Sequence, residues 1–500
     1  MRKSRFFLLL AIALGIGMAF ALRELRETPL PRNVDTPSEF ASFLETSLPA
    51  WMERYRVPAV CTGLVAGDLE RVVCAGTTRS DGGVAIGSQS RFGVASVSKA
   101  FTALAVLTLA AHGAIALDDP AERHLRSWHF PRKPFDGSAL TIRQLLTHTA
   151  GVGVASYGGA GSPRAGETTR DVLDGRGSGR APVRLVAAPG SGFRYSGGGY
   201  MVLQQLVEDV AGRPFEQFVI DNVFQPLGMR DSSFSWGAAR DGDSAGHDVA
   251  GQPLPAHPYG AAMAPGAMVT TADDLLRFTA AFARGQVGAR LGWPEGLWRQ
   301  YVAADQGHYG LGLTLTEANG HLLLGHSGTT MGYNAGFNAS PAEGFGWFVL
   351  ENGNGGGFLN SELNRLALQW KTGAVDPRHR AMKVFCAAVA FLGTTLPALG
   401  VLLLASFGLR LAFGQRRWLW TSGGAPLAKG LRGVLAVLLA GAGALWLAVF
   451  HTEAFYPALT TAWMPYTFRF ATLGVLLIAL RGILACLFVR PRTVTEPAAV

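Results

Sequence analysis

Apolar positions along this chain fall into two regimes. The run 6–22 carries no charge and follows Arg2, Lys3 and Arg5, and three more apolar runs, 384–409, 433–450 and 470–489, close the chain. At helical rise each of the four approaches the thickness of a bilayer's hydrocarbon core. Between the two ends the apolar positions recur at shorter range, as in a globular domain. Helical spacing is predicted near 40–56, 140–151, 200–211, 272–284 and 360–370, and two of these starts carry capping signals, Thr141 with Gln144 and Thr271 with Asp274. Strand patterns occupy 59–74, 310–317, 321–325, 333–339 and 344–350. Strands at both ends with helices between predict one sheet made from the two extremes of the domain and a helical lobe inserted between them. The Gly/Ser-rich stretch 151–180 has no periodicity and is predicted as a surface loop.

The run 59–74 reads as a hairpin around a Gly67-Asp68 turn. If Ala66 pairs with Leu69, Cys61 stands directly opposite Cys74, where a disulfide fits and suits an exported domain. Cys386 and Cys486 lie in terminal apolar runs and read as small apolar residues.

Composition sharpens the division. A hydrophobic content of 49% over 500 residues and a mean hydropathy of +0.22 are high for a wholly soluble chain, so one large domain plus membrane segments is predicted. From Asp376 onward there are twelve Lys/Arg against three acids, and in residues 1–27 five against two, which leaves the middle with 27 bases and 30 acids. The formal +9 therefore belongs to the ends, and a nucleic-acid surface is excluded. The segment between the first two C-terminal runs holds Arg410, Arg416, Arg417, Lys429 and Arg432, that between the last two only Glu453 and Arg469, and Arg490 and Arg492 follow the third. By the positive-inside rule the domain then faces outward. The predicted plan is a signal peptide or N-terminal anchor at 1–22, a Pro-bearing linker at 23–39, a globular domain at 40–375 and a membrane region at 376–500, with the lipid bilayer as partner. Arg481 falls near the middle of the third run, where a charge is costly; packing against the other helices, a shifted span and a sensing role are all open there.

Candidate chemistry begins with Ser96-Val97-Ser98-Lys99 at the junction of a predicted strand and helix. Positions three apart share a helix face, so the Lys99 amine can activate the Ser96 hydroxyl as a nucleophile. Only six of 44 basic residues are lysines, and Lys99, Lys133 and Lys371 alone fall in the globular domain. A lysine among so many arginines points to a need for an amine that can lose its proton. A glycine-rich segment, 189–200, carries Tyr195 just before a predicted helix; a phenol there can reach a cleft and serve as a base, or pack as an ordinary aromatic. A third segment, Gly325-His326-Ser327-Gly328-Thr329, closes a predicted strand. Its glycines let backbone approach a ligand, its N–H groups can complete an oxyanion hole with the Ser96 amide, and His326 can shuttle a proton or bind a carboxylate.

Two spellings are set aside. Lys371-Thr372-Gly373 follows a helix with apolar Leu359, Leu363, Leu366 and Trp370, so Lys371 reads as a basic C-terminal residue and Gly373 as a helix stop. Gly242-Asp243-Ser244-Ala245-Gly246 matches a nucleophile elbow in letters only, because polar loop surrounds it. No zinc-type His-Glu-x-x-His and no phosphate-cradling Gly-Lys-Ser/Thr spelling occurs, so no metal, nucleotide or other cofactor is indicated.

The ordered set Ser96-x-x-Lys99, Leu145-Leu146-Thr147-His148-Thr149-Ala150-Gly151, Tyr195-Ser196-Gly197, Pro265-Gly266-Ala267-Met268-Val269-Thr270-Thr271-Ala272-Asp273-Asp274-Leu275 and His326-Ser327-Gly328 resembles the class C β-lactamase-related, penicillin-binding-protein-like serine hydrolases. The resemblance covers about 40–372. It implies an α/β (α+β) sandwich, antiparallel sheet plus helical lobe, here followed by an α-helical membrane bundle. It further implies Ser96 as nucleophile, Lys99 and Tyr195 as the base system, His326 at the catalytic cleft, and the Ser96 and Thr329 amides as oxyanion donors, with Gly197, Ser327 and Gly328 lining the substrate. Two positions depart from the family pattern: Gly197 stands where Asn usually holds an acylamino group, and His326 where the β-lactamases carry Lys. Both favour an esterase or peptidase branch over a true β-lactamase. The implied protein is a multi-pass resident of a bacterial cell membrane, its domain periplasmic or extracellular. It would act through an acyl-enzyme on an ester, D-amino-acid peptide or lactam drawn from small-molecule or cell-wall-derived peptide substrates. An acyl-accepting, penicillin-binding sensor and a non-catalytic binding protein are the alternatives on the same fold.

Overall fold

A computed structural model describes residues 2–155, 157, 166–176, 181–238, 240–255, 259–303, 309–415, 417–418, 432, 434–436 and 467–489. It contains two compact units, Pro29–Asp376 and the combination of Met1–Thr28 with Pro377–Val500.

The first unit is built on a six-stranded antiparallel sheet whose strands lie in the spatial order Leu69–Gly76 (β2), Ala59–Ala66 (β1), Phe345–Glu351 (β8), Tyr333–Ser340 (β7), His321–Thr330 (β6), Thr314–Ala318 (β5). The sheet thus joins the domain's two extremes, with β1 paired to β8 from Val60↔Glu351 to Ala66↔Phe345. The Gly67-Asp68 turn sets Ala66 against Leu69, which puts Cys61 opposite Cys74. The two cysteines form a disulfide there. Strand β8 is buried along its whole length, so it reads as a near-continuous apolar run rather than an alternation. Helices cover both faces. On one, the helix Pro37–Tyr55 meets the helix Gly356–Thr372 through Phe40 stacked on Trp370 at 4.7 Å. On the other, the helix Ala272–Ala283 packs Phe278 edge-on to Phe337 of β7.

A second, two-stranded sheet pairs β3 (Arg91–Gly93) with β4 (Val269–Thr271). The strand expected just before Ser96 is β3, whereas its pairing with β4 had no signal in the sequence, and the pair delivers the chain into the helix Ser98–Ala111. That helix is buried from Ser98 to Leu109, and Phe101 meets Phe278 at 4.6 Å and Phe224 at 5.7 Å. A helix buried on all sides in this way forms part of the domain's core.

Several boundaries differ from the sequence reading for local reasons. The run expected to end at 325 continues to Thr330, because β6 stays paired with β7 through Thr330↔Tyr333. The 140–151 segment forms only Ile142–Leu146, opened by the Thr141/Gln144 capping box and stopped where His148 takes φ +59°. The 151–180 stretch contains a short helix, Thr169–Leu173, with its own capping box from Thr168 and Asp171. Helix Gly197–Ala211 starts three residues earlier than its apolar spacing because Ser196 caps Gly199. Gly373 ends the last helix at φ +67°.

The second unit holds helices Arg2–Leu25, Pro377–Ala412 and Thr467–Leu487. By length and composition, Phe7–Leu25 and His379–Ala412 are apolar enough to cross a membrane, whereas the apolar stretch Ala471–Leu487 is shorter. Small residues sit at the crossings: a side chain on Gly17 would strike Thr395, and one on Gly474 would strike Leu396. Of the expected run 433–450, positions 433 and 437–450 lie outside the described residues.

Candidate active site

Among residues 91–100 every position is buried except Ser96, which is half-buried. The chain reaches it through a tight turn in which Ala95 adopts φ +46°, a conformation that costs an L-residue of order 1–3 kcal/mol. Ser98 holds that turn: its hydroxyl donates to Ala95 O at 2.5 Å and accepts from Met268 N at 3.0 Å. The β3–β4 pairing adds Val94 N to Met268 O at 3.0 Å.

One turn further on, Lys99 is 2% exposed. Its Nζ lies 3.0 Å from Ser96 Oγ and donates to Pro265 O at 2.7 Å. The same atom stands 4.8 Å from the centre of the Tyr195 ring and 5.6 Å from that of Tyr200. Pro265 belongs to a segment without regular structure that Thr102, donating to Ala264 O at 3.0 Å, and above all Gln204 hold in place. Gln204, on the Gly197–Ala211 helix, donates from Nε2 to Ala261 O at 2.9 Å and accepts at Oε1 from Met263 N at 3.1 Å and Ala264 N at 2.9 Å. The acceptor for the lysine is thus fixed by a buried amide on a neighbouring helix.

Strand β6 forms the opposite wall. A Cβ on Gly328 would lie 2.1 Å from Val94 O and 2.8 Å from Ser96 N, both backbone atoms, so only glycine lets the strand lie against the turn that carries the serine. Thr329 follows, its hydroxyl tied to Asn334 Oδ1 at 2.7 Å. The Ser96 amide therefore lies against β6 at the residue before Thr329.

His326 reaches the same cluster, its ring 6.5 Å from that of Tyr195. Its environment differs from the reading as a shuttle or carboxylate ligand. Nε2 is 3.0 Å from the Tyr309 hydroxyl and Nδ1 is 2.7 Å from Ser327 O. Burial, and secondarily the Lys99 charge, pushes its pKa down to about 3, so the ring is neutral at pH 7. A neutral ring that donates from Nδ1 to a carbonyl accepts the phenol proton at Nε2. Both nitrogens are engaged within the protein.

Gly197 also sits in a filled place. A Cβ there would meet Ala155 O at 3.1 Å, the Tyr157 ring at 3.2 Å and Pro265 Cβ at 3.5 Å, so the volume beside it is taken by Tyr157. Ser327 and Gly328 lie inside β6, paired with Gly336 and Ala335.

The structure therefore brings Ser96, Lys99, Tyr195, His326, Gly197, Gly328 and Thr329 into one cluster. It also shows residues that the sequence reading gave no role: His148, Tyr200, Gln204, Tyr259 and Tyr309. Tyr309 packs on His148 at 4.7 Å, and burial raises its pKa well above the usual phenol. Tyr259 donates to Thr330 Oγ1 at 2.9 Å, and burial pushes its pKa up to about 12. The only sequence signal for Tyr309 is the spacing Tyr309-Gly310-Leu311-Gly312, in which Gly312 at φ +84° would place a Cβ 2.4 Å from Ala103. The two set-aside spellings are accounted for elsewhere: Lys371 closes a helix, and the Ser244 hydroxyl donates to Arg91 O at 2.7 Å.

The chain is similar to known proteins. The Beta-lactamase family profile matches residues 48–369. Esterase EstB of Burkholderia gladioli is 39% identical over 194 residues, 37% of this chain and 49% of the esterase. Protein flp of Staphylococcus aureus strain MW2 is 26% identical over 296 residues, 55% of this chain and 54% of its own. The chain spans about half the length of these two relatives. Among solved structures, the octameric penicillin-binding protein homologue from Pyrococcus abyssi superposes with a TM-score of 0.57 at 22% identity, covering 70% of this chain and 81% of that one, a likeness of fold.

Proposed function

Because the chain belongs to the Beta-lactamase family, whose fold is that of serine hydrolases with esterase and penicillin-binding relatives, we propose that it is a serine hydrolase working through an acyl-enzyme and favouring uncharged esters. In this reading Ser96 Oγ attacks the carbonyl, and its proton passes to the Lys99–Tyr195 pair. The oxyanion is received by the Ser96 and Thr329 amides, the pair returns the proton to the leaving alkoxide, and water then cleaves the acyl-serine by the same route. The observation that carries it is the 3.0 Å approach of Lys99 Nζ to Ser96 Oγ beside the Tyr195 ring.

The preference for esters rests on His326 and Gly197. A β-lactam carboxylate needs a cation or a free donor, whereas this imidazole is neutral with both nitrogens occupied. An acylamino group needs a side-chain amide, whereas Gly197 has none and Tyr157 fills the space beside it. The further proposal is that the enzyme is membrane-anchored, with this domain on the outer side. The Phe7–Leu25 and His379–Ala412 helices, the basic residues flanking the terminal apolar runs and the Cys61–Cys74 disulfide support it.

A panel of 4-nitrophenyl esters, D-amino-acid amides and a chromogenic cephalosporin, run on the full chain and on Ser96→Ala, tests the reading. Serine-dependent ester turnover with weak cephalosporin turnover is expected. Cephalosporin turnover faster than that of every ester would overturn the use made of His326 and Gly197.

A further inference from the structure

Tyr195 stands at the end of a segment that does little to orient it. Residues 191–194 are exposed, and the loop turns at Gly190 (φ +79°) and Gly192 (φ +144°). A side chain asked to share a proton with Lys99 needs a placement this loop cannot provide alone. The missing constraint comes from His148, a residue that takes no part in the proton path above.

His148 is 2% exposed and adopts φ +59°, the left-handed region that a histidine seldom occupies. That conformation lets one residue grip Tyr195 from both sides. The His148 carbonyl accepts from Arg194 N at 2.7 Å, and the His148 ring accepts at Nδ1 from Ser196 N at 3.1 Å. Between these two bonds the imidazole packs on the Tyr195 ring itself, with centroids 4.4 Å apart. It also contacts the Tyr309 ring at 4.7 Å and that of Tyr200 at 5.1 Å. An imidazole that accepts at Nδ1 must be neutral and carry its proton on Nε2. Burial, with the Lys99 charge as a lesser cause, holds the ring in that form. Nε2 has no hydrogen-bond partner among the described residues and sits in this aromatic surround. A buried donor left without a partner is costly, so the ring is kept there for what its other nitrogen and its face do.

We propose that His148 is the positioning residue for Tyr195: its left-handed backbone and its Nδ1 acceptor fix the amides on either side of the tyrosine and so set the phenol against Lys99. The proposal rests on the hydrolase reading, since it assigns how that reading's base is aimed.

Two substitutions separate the ring's acceptor from the backbone conformation. His148→Gly keeps the left-handed turn and the carbonyl grip but removes the acceptor and the ring. His148→Asn keeps the turn, which Asn tolerates, and restores an acceptor oxygen while still lacking the ring. Steady-state hydrolysis of a 4-nitrophenyl ester by the full chain gives kcat, KM and the pH profile, and thermal unfolding reports the fold. His148→Gly is expected to lower kcat by about 10²-fold with KM little changed, the cost of misplacing a reacting group by about 1 Å, and to move the acid limb of kcat/KM. His148→Asn is expected to recover most of the loss and the parental pH profile. A folded His148→Gly with parental kcat, or a His148→Asn as impaired as the glycine variant, overturns the proposal. A parent chain that neither turns over the ester nor is labelled at Ser96 by a fluorophosphonate instead overturns the hydrolase reading.

Discussion

The contact between Gly328 and the nucleophile turn gives the sharpest quantitative test of the oxyanion geometry. A methyl group at 328 would lie 2.1 Å from Val94 O, 2.8 Å from Ser96 N and 3.1 Å from Ala95 Cβ, where ordinary contact begins at 3.4 Å. Two of the three neighbours are backbone, so no rotamer change relieves the clash and Gly328→Ala must move β6 away from the turn by roughly 1 Å. Overpacking of this kind costs about 1–3 kcal/mol, less than the total stability of roughly 5–15 kcal/mol typical of a domain. The variant should therefore fold. Its chemistry should not survive as well: displacing the Thr329 amide by that distance is expected to lower kcat by about 10²-fold. The assay is 4-nitrophenyl ester hydrolysis alongside a thermal unfolding curve. Gly296→Ala serves as the control, since nothing lies within 4 Å of its added methyl and its φ is ordinary. A folded Gly328→Ala with the parental kcat would refute the placement of the oxyanion donors on β6.

Gln204→Leu leaves Ala261 O, Met263 N and Ala264 N without their partner. It should cost about 1–3 kcal/mol per stranded group in a urea titration and lower kcat as Pro265 O drifts from Lys99. Gln204→Glu keeps the acceptor next to Pro265 and should retain more activity than the leucine variant; the reverse order contradicts this role. His326, with a folded pKa of about 3, binds its proton more weakly in the native than in the unfolded chain. Its contribution is full above the unfolded value of about 6.5 and is lost as pH falls toward 3, at up to about 1.4 kcal/mol per pH unit. His148 and His247, also lowered mainly by burial, act in the same direction. Urea midpoints should therefore drop steadily between pH 7 and 4 and drop less steeply in His326→Gln, and equal slopes in the two proteins would contradict the buried neutral ring. Cys74→Ser opens a bridge of sequence separation 13 and should lower stability by about 3 kcal/mol; an unchanged melting temperature would show that the bridge contributes nothing.

Sequence signals that act locally carried much of the architecture. The two-residue turn at Gly67-Asp68 fixed the hairpin register down to the facing cysteines, and the Thr141/Gln144 box marked its helix start. The Ser96 and Lys99 pairing followed from helical spacing alone. What escaped was set by contacts far apart in the chain. The β3–β4 sheet depends on two three-residue segments that meet only in the folded domain. Gln204 carries no local signal of its role, which appears only once residues 261–264 lie across it. His148 was visible inside a motif, but its left-handed backbone and its reach to Arg194 and Ser196 have no signature in one dimension. His326 was legible as a member of the site, while its neutrality comes from burial and from the Lys99 charge, and its bond to Tyr309, 17 positions away, has no local signature.

The central claim is that Ser96 is acylated because Lys99 and Tyr195 accept its proton. Intact-mass and peptide mapping of the full chain after brief exposure to a fluorophosphonate tests it most directly. The account predicts a single adduct on Ser96 that is lost in Ser96→Ala and formed far more slowly in Lys99→Met and Tyr195→Phe. An adduct on another residue, or labelling of Ser96 at the parental rate in both base variants, would contradict it.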